Sequence, residues 1–200
     1  GLVGSEMCIR DRDKRLSNLF LLPAAQTRDK TAVQPADMVR ICEELRLEFS
    51  FVLVDSPAGI EHGFRTALAP ADEVIVVTTP EVAAVRDADR VIGLVEAAGK
   101  ESVKLAINRV KPEMVERGDM LSVEDVLEIL AIPLVGVIPE DPGVIVATNK
   151  GVPIVLNTSS PSGQAIKDMA RRLMGEEVPF PTLRGKEGLL NVMSRWFRRR

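Results

Sequence analysis

The sequence has few of the residues that build metal, redox and disulfide sites. Its 200 residues include two cysteines, one histidine, one tryptophan and no tyrosine. Cys8 and Cys42 lie too far apart for a C-x-x-C unit, and the lone His62 supplies neither a histidine-based zinc site nor, without a nearby nucleophile, a catalytic triad. The composition argues against a disulfide framework and predicts reduced thiols in a cytosolic protein.

Long hydrophobic runs and a strong excess of one charge are absent as well. No stretch of 18 apolar residues and no signal-peptide layout occur, so the sequence predicts neither a membrane-spanning helix nor an export signal. The formal net charge of −3 argues against a nucleic-acid-binding body. With 46% hydrophobic residues, the chain is long enough for one domain with a substantial core.

A glycine-rich phosphate-binding loop of the G-x-x-x-x-G-K-[ST] type is also missing. The nearest match, from Gly93 to Lys100, has five residues between its glycines where the motif has four, and Glu101 stands where the hydroxyl residue belongs. We therefore expect no phosphate contacts of that kind from this sequence.

Short apolar runs and helical periodicity are what the sequence does contain. Five runs are rich in β-branched residues, end at turn residues and predict buried strands: 18–23, 49–55, 73–78, 103–108 and 134–138. Helical periodicity marks residues 36–47, 82–98 and 123–130, and a further helix is predicted at 162–174. Near-continuous apolar strands between helices predict an α/β fold, with a mostly parallel sheet covered by helices on both faces.

Polar residues follow the predicted strands, at the rim where an open α/β sheet binds its ligand. Asp55 ends an apolar strand in the manner of a Walker-B carboxylate that holds the Mg²⁺ of a nucleotide, although a turn or helix-capping role is the alternative. Asn108 offers a donor and an acceptor to a purine edge, and the turn from Pro139 to Asp141 presents backbone groups to a base.

The last residues predict a cationic amphipathic helix that binds a membrane surface. Six apolar side chains fall within an arc of about 160° on a helical wheel: Leu189, Leu190, Val192, Met193, Trp196 and Phe197. Basic residues accompany the polar side, including Lys186, Arg195 and Arg198. Residues 184–200 carry six Lys/Arg against one acidic residue, whereas residues 1–183 carry 20 against 28. We expect weak binding to anionic lipid by one such helix, and a second copy in a dimer would strengthen it. Packing on the protein's own core is the alternative.

Several stretches together resemble the septum site-determining ATPases of the MinD type. They are D-S-P-A-G-I-E at 55–61, V-T-T-P-E at 77–81 followed by V-R-D-A-D-R-V-I-G-L, and L-P-A-A-Q-T-R-D-K at 22–30. Single motifs are shared with ParA-type partition ATPases, but the combination with the basic tail favours the MinD type. The resemblance covers roughly residues 13–200 and implies a P-loop NTPase-like fold.

The resemblance also implies a function and a set of site residues. The family dimerises with ATP, attaches to the inner membrane through paired tails, and is released when a partner stimulates hydrolysis. Asp55 then lies near Mg²⁺, and Asn108, Pro139, Glu140 and Asp141 contact the adenine. The switch consists of Ser56, Pro57, Ala58, Gly59, Ile60 and Glu61. Asp89 and Gly93 lie where partners of the MinC and MinE types bind, although an exposed charge and a packing glycine are the alternatives.

The family's phosphate loop has no counterpart here, so the resemblance implies an N-terminally incomplete copy. The expected organisation is an unmatched segment at 1–12, foreign or misread, a partial ATPase domain at 13–175, a linker at 176–185 and a membrane-targeting helix at 186–200. We expect a peripheral protein on the cytoplasmic face of the inner membrane, inactive as an ATPase alone. Two alternatives stay open: a noncatalytic membrane-binding fragment and a ParA-type DNA partition ATPase.

Overall fold

The computed structural model describes residues 11–12, 15–23 and 33–180. The chain forms two compact units, Gly1–Pro70 and Ala71–Arg200. Within the described part of the chain, no helix is long and apolar enough to cross a bilayer.

The described part of the first unit contains two short strands and two helices. Strand β1 (Asp11–Arg12) pairs antiparallel with β2 (Phe20–Leu21), and helix α1 (Pro35–Arg46) contacts α2 (His62–Leu68). Helix α1 begins with a capping box formed by Gln34 and Asp37, with proline at its first position. The ring of His62 lies 3.0 Å from the carbonyl oxygen of Val33, so this histidine ties the start of α2 to the residues before α1.

Two predicted strands of the first unit are wrong. Residues 51–57 adopt no regular element, and Phe51 and Leu53 are 66% and 87% exposed. The run at 18–23 yields only the two-residue strand β2, which is exposed and antiparallel instead of buried and parallel. An apolar run becomes a strand only when a neighbour completes its hydrogen-bond ladder, and no other described segment pairs with residues 49–55.

The second unit is a parallel α/β sheet. Its elements are β3 (Val74–Thr78), α3 (Val82–Ala97), β4 (Val103–Val110), α4 (Pro112–Arg117), α5 (Val123–Leu130), β5 (Leu134–Pro139), α6 (Gly143–Asn149), a 3₁₀ turn (Ile154–Leu156) and α7 (Pro161–Leu173). The strands lie in the order β3-β4-β5, and both pairings are parallel. The strands predicted at 73–78, 103–108 and 134–138 are confirmed, as are the helices at 36–47, 82–98, 123–130 and 162–174, with ends that move by one or two residues.

Helices cover both faces of this sheet. Leu105 and Ile107 on one face of β4, and Ala106 on the other, are all fully buried. Helices α3 and α5 contact each other across one face, as right-handed crossovers require, and α7 packs on β5. A Cβ on Gly136 would come within 2.7 Å of the Met169 sulfur, so glycine at this position lets α7 approach the sheet. The predicted fold class is therefore confirmed for this unit.

Candidate functional site

The end of β4 carries a bulge that contains two polar residues, Asn108 and Arg109. The pairing with β5 shifts register between Ile107 and Val110, and Arg109 adopts a left-handed conformation with φ of 60°. The Asn108 side-chain oxygen accepts a hydrogen bond from the Arg109 backbone N–H at 2.9 Å, which holds this bend. Strained backbone of this kind is common at functional sites. The bulge lies at the carboxyl rim of the sheet, so Asn108 and Arg109 are located there.

An ion pair joins the ends of β4 and β5. The Arg109 guanidinium donates to both carboxylate oxygens of Glu140, with Nε 2.8 Å from Oε2 and Nη2 3.4 Å from Oε1. The Glu140 backbone N–H also donates to the Val110 carbonyl at 2.9 Å. The hydrogen bond from Arg109 lowers the pKa of Glu140, and the same contact raises the pKa of Arg109. Arg109 was not among the predicted site residues; its position directly after Asn108 was the only signal.

The carboxylate of Asp141 accepts hydrogen bonds that connect the turn after β5 to the start of α7. It accepts hydrogen bonds from the Gly143 N–H at 2.7 Å, the Ser160 hydroxyl at 2.6 Å and the Ser162 hydroxyl at 3.0 Å. The Ser160 hydroxyl and the Gly143 N–H are the main reasons that the pKa of Asp141 is lowered. The turn after β5 is thus fixed to the start of α7, and Pro139, Glu140 and Asp141 stand beside Asn108 at one rim.

The Walker-B-like segment lies in the first unit. Asp55 is exposed, and the Ser56 hydroxyl donates to the Pro57 carbonyl at 3.3 Å. Gly59 has φ of +96°, which glycine adopts at little cost. The described residues contain no group of three or more His, Cys, Asp or Glu side chains able to hold a metal. One exposed carboxylate still fits nucleotide-bound Mg²⁺, because that ion takes most of its ligands from phosphates and water.

Helix α3 presents the predicted partner-binding residues to solvent. Asp89 and Gly93 are both exposed and lie one turn apart, on the same side of the helix. A Cβ built on Gly93 meets no atom within 4 Å, so the described residues do not support the packing-glycine alternative.

The predicted tail lies outside the described residues. This applies to Lys186, Leu189, Leu190, Val192, Met193, Arg195, Trp196, Phe197 and Arg198. Their assignment to a membrane-binding helix stays a prediction.

The parallel sheet, the helices on both of its faces and the polar carboxyl rim define an α/β protein of the P-loop NTPase-like class. No family model matches the chain. The septum site-determining protein MinD of Synechocystis sp. is 52% identical over 170 residues, covering 84% of this chain and 64% of that protein. The putative septum site-determining protein MinD of Guillardia theta is 54% identical over 189 residues, covering 93% and 70%. The chain belongs to the MinD family of septum site-determining proteins, and it spans about two thirds of the length of these relatives.

Solved structures agree with this assignment. The MinD cell division protein of Aquifex aeolicus superposes with a TM-score of 0.80 at 47% identity, covering 86% of this chain and 71% of that chain. The MinC:MinD complex of the same organism gives a TM-score of 0.79 at 48% identity, covering 86% and 69%. MinD of Pyrococcus horikoshii, solved with Mg-ADP, gives 0.62 at 26% identity, covering 70% and 56%.

Proposed function

We propose that this chain acts in placing the division septum, as a MinD-type protein with an adenine-binding rim, a partner-binding helix and a lipid-binding tail. The rim is the observation that carries the proposal. Asn108 and the turn from Pro139 to Asp141 converge at the carboxyl ends of two adjacent parallel strands, where α/β proteins bind nucleotides.

The rim binds the base through a side-chain amide and backbone groups. The side-chain oxygen of Asn108 already accepts a hydrogen bond from the Arg109 backbone N–H. The side-chain nitrogen of Asn108 is therefore the group that faces a purine acceptor. The Asp141 carboxylate already has three donors, so Asp141 contributes backbone and rigidity instead of charge. Asp55 supplies the carboxylate for Mg²⁺, and Ser56 to Glu61 form the switch. The Mg-ADP complex of the Pyrococcus horikoshii relative supports ATP and Mg²⁺ as ligands.

The partners follow from the exposed helix and the predicted tail. Asp89 and Gly93 on α3 offer a surface to a MinC-like protein, which the Aquifex aeolicus complex supports, and to a MinE-like protein by family resemblance. The tail binds anionic lipid on the cytoplasmic face of the inner membrane, and a homodimer supplies two tails. We expect no nucleic acid partner, because the part of the chain before the tail is acidic.

The sequence contains no glycine-rich phosphate loop, so we propose that these 200 residues do not hydrolyse ATP by themselves and bind it weakly. Membrane binding is then weak and does not depend on nucleotide. This behaviour coincides with the second candidate function, a noncatalytic membrane-binding module. A ParA-type DNA partition ATPase is less well supported, because the ParA-family structure of Chlorobium tepidum is only 20% identical and shows the fold alone.

Vesicle sedimentation tests the proposal. The chain is mixed with anionic or neutral vesicles, with and without ATP and Mg²⁺. We expect weak binding to anionic vesicles alone, unchanged by ATP, and loss of binding in a Trp196→Glu, Phe197→Glu variant. A matched control adds two glutamates at exposed apolar positions of the body, Leu47→Glu and Ile129→Glu. ATP-dependent binding would show a switching enzyme, and unchanged binding by the tail variant would place the helix on the core.

A further inference from the structure

Arg172, near the end of α7, holds the segment that follows the helix. Its Nε donates to the Val178 carbonyl at 2.8 Å, and its Nη2 donates to the Pro179 carbonyl at 2.8 Å. The guanidinium carbon lies 3.9 Å from the centre of the Phe180 ring. One side chain therefore contacts three consecutive residues beyond the helix.

The same guanidinium is fixed to the sheet. Its Nη1 donates to the Val135 carbonyl in β5 at 3.0 Å, so the guanidinium bridges the strand and the segment after α7. Partial burial lowers the pKa of Arg172, which agrees with a guanidinium that lies between the strand and the following segment. The neighbouring Arg171 adds a second contact, since its Nε lies 2.8 Å from a Glu176 carboxylate oxygen.

The chemistry of this contact requires arginine. Three nitrogens of a planar fork donate in three fixed directions, and the flat face stacks on an aromatic ring. A lysine ammonium would keep the charge but would not satisfy three separate carbonyls while stacking on Phe180. We name residues 176–180, held in this way, the strap.

The position of the strap determines the point on the second unit from which the chain continues towards residue 181. Val135 is the second residue of β5, whereas Pro139 and Glu140 lie at its other end, beside Asn108. The strap thus lies at the amino edge of the sheet. It also shortens the tether to the predicted tail helix: ten residues at 176–185 could span about 35 Å, but the five at 181–185 span only about 17 Å.

We propose that Arg172 is a positioning residue that anchors the strap to β5 and so fixes the exit point and halves the reach of the membrane-binding tail. The anchoring stands on the geometry of Arg172 alone. Its consequence for the membrane rests on the proposed lipid binding of the tail, so the two are tested by separate measurements.

Limited proteolysis tests the anchoring without a membrane. Glutamate-specific protease is applied to the whole chain, and fragments are quantified by mass spectrometry. In Arg172→Ala and Arg172→Lys, we expect cleavage of the Glu177–Val178 bond to rise roughly tenfold, the change that follows loss of a charge-assisted hydrogen bond. Lys167→Ala removes one positive charge from the same helix and should leave this rate unchanged.

Cleavage after Glu101, in the exposed turn before β4, reports on the fold of the body. If Arg172→Ala raises that rate too, the body itself is loosened, and Phe180→Ala becomes the deciding variant because it removes the ring and keeps the arginine. Faster Glu177–Val178 cleavage in Phe180→Ala, at a constant Glu101 rate, supports the strap. An unchanged Glu177–Val178 rate in both variants overturns it.

Energy transfer tests the consequence at the membrane. A donor dye is attached through Glu101→Cys, at the amino edge of the sheet, in a chain with Cys8→Ala and Cys42→Ala, and the acceptor is a labelled lipid in anionic vesicles. We expect lower transfer for Arg172→Ala than for the parent at equal bound fraction, because the tether doubles. Equal transfer overturns the shortened tether. If neither chain binds vesicles, lipid binding by the tail is wrong and the tether has no membrane role, while proteolysis still decides the strap.

Discussion

At the scale of single residues, Asp141 is a case in which a predicted ligand contact has a structural role. We expect Asp141→Ala to lower the free energy of unfolding at pH 7 by about 2 kcal/mol, because the Ser160 and Ser162 hydroxyls lose their acceptor. The folded state lowers the pKa of Asp141 below its ordinary value of 3.8. Its ionised form therefore stabilises the fold above that pH, and this contribution is lost as the pH falls through the folded-state pKa.

Urea unfolding at pH 7 and below pH 4 measures this dependence. The difference between parent and variant should shrink at the lower pH. Asp87→Ala, at an exposed position on α3, serves as the control and should change the free energy of unfolding little at either pH. A constant difference for Asp141→Ala would show that its charge does not contribute.

Arg109 provides a second prediction at this scale, because its ion pair and its backbone strain can be separated. Its side chain is 62% exposed, so solvent screens the ion pair with Glu140, and we expect this pair to contribute little to stability. Both Arg109→Ala and Arg109→Gly remove the pair, but only glycine relieves the φ of 60°. We expect the glycine variant to be more stable than the alanine variant by about 1 kcal/mol in chemical denaturation. Equal stabilities would contradict strain at the end of β4.

The sequence could place Asn108 and the turn at Pro139 to Asp141 at one rim of the sheet, since both follow apolar runs. It could not show which contacts Arg109 and Asp141 make. The conformation of Arg109 accompanies a register shift between two strands, and the two serine partners of Asp141 lie 19 and 21 residues away. Contacts at that separation depend on how α7 packs, and local sequence patterns do not predict this packing.

At the scale of elements, apolar runs predicted buried parallel strands correctly only where a neighbouring parallel strand was present. β4 pairs with both β3 and β5, and all three strands have the predicted positions, whereas the equally apolar residues 49–55 form no strand among the described residues. Helices α2, α4 and α6 were missed, because six or seven residues are too few to establish a helical period. Long helices with an apolar stripe were predicted to within one or two residues.

Gly93 provides a stability test for a single element, helix α3. Glycine inside a helix costs roughly 0.5–1 kcal/mol relative to alanine, and a Cβ at this position meets no atom within 4 Å. We therefore expect Gly93→Ala to raise the free energy of unfolding by about that amount. Asp89→Ala is the companion variant and should change stability by less than about 0.5 kcal/mol. Destabilisation by Gly93→Ala would mean that something covers this face.

At the scale of the whole molecule, the missing phosphate loop decides what the rim can do. Phosphoryl transfer requires backbone N–H groups and a lysine around the β- and γ-phosphates, and this sequence supplies neither in the required motif. The contacts that we propose for this chain are with the base and Mg²⁺ only. We expect no ATP hydrolysis above the protein-free background, and ATP and adenosine should bind with affinities within roughly tenfold of each other. Phosphate-release assays and competition against a fluorescent adenine nucleotide measure both quantities.

Asn108→Ala should weaken the binding of ATP and adenosine equally, because it removes the base contact that we propose for both ligands. Turnover above background, or a strong preference for ATP over adenosine, would show that residues outside the expected motif hold the phosphates.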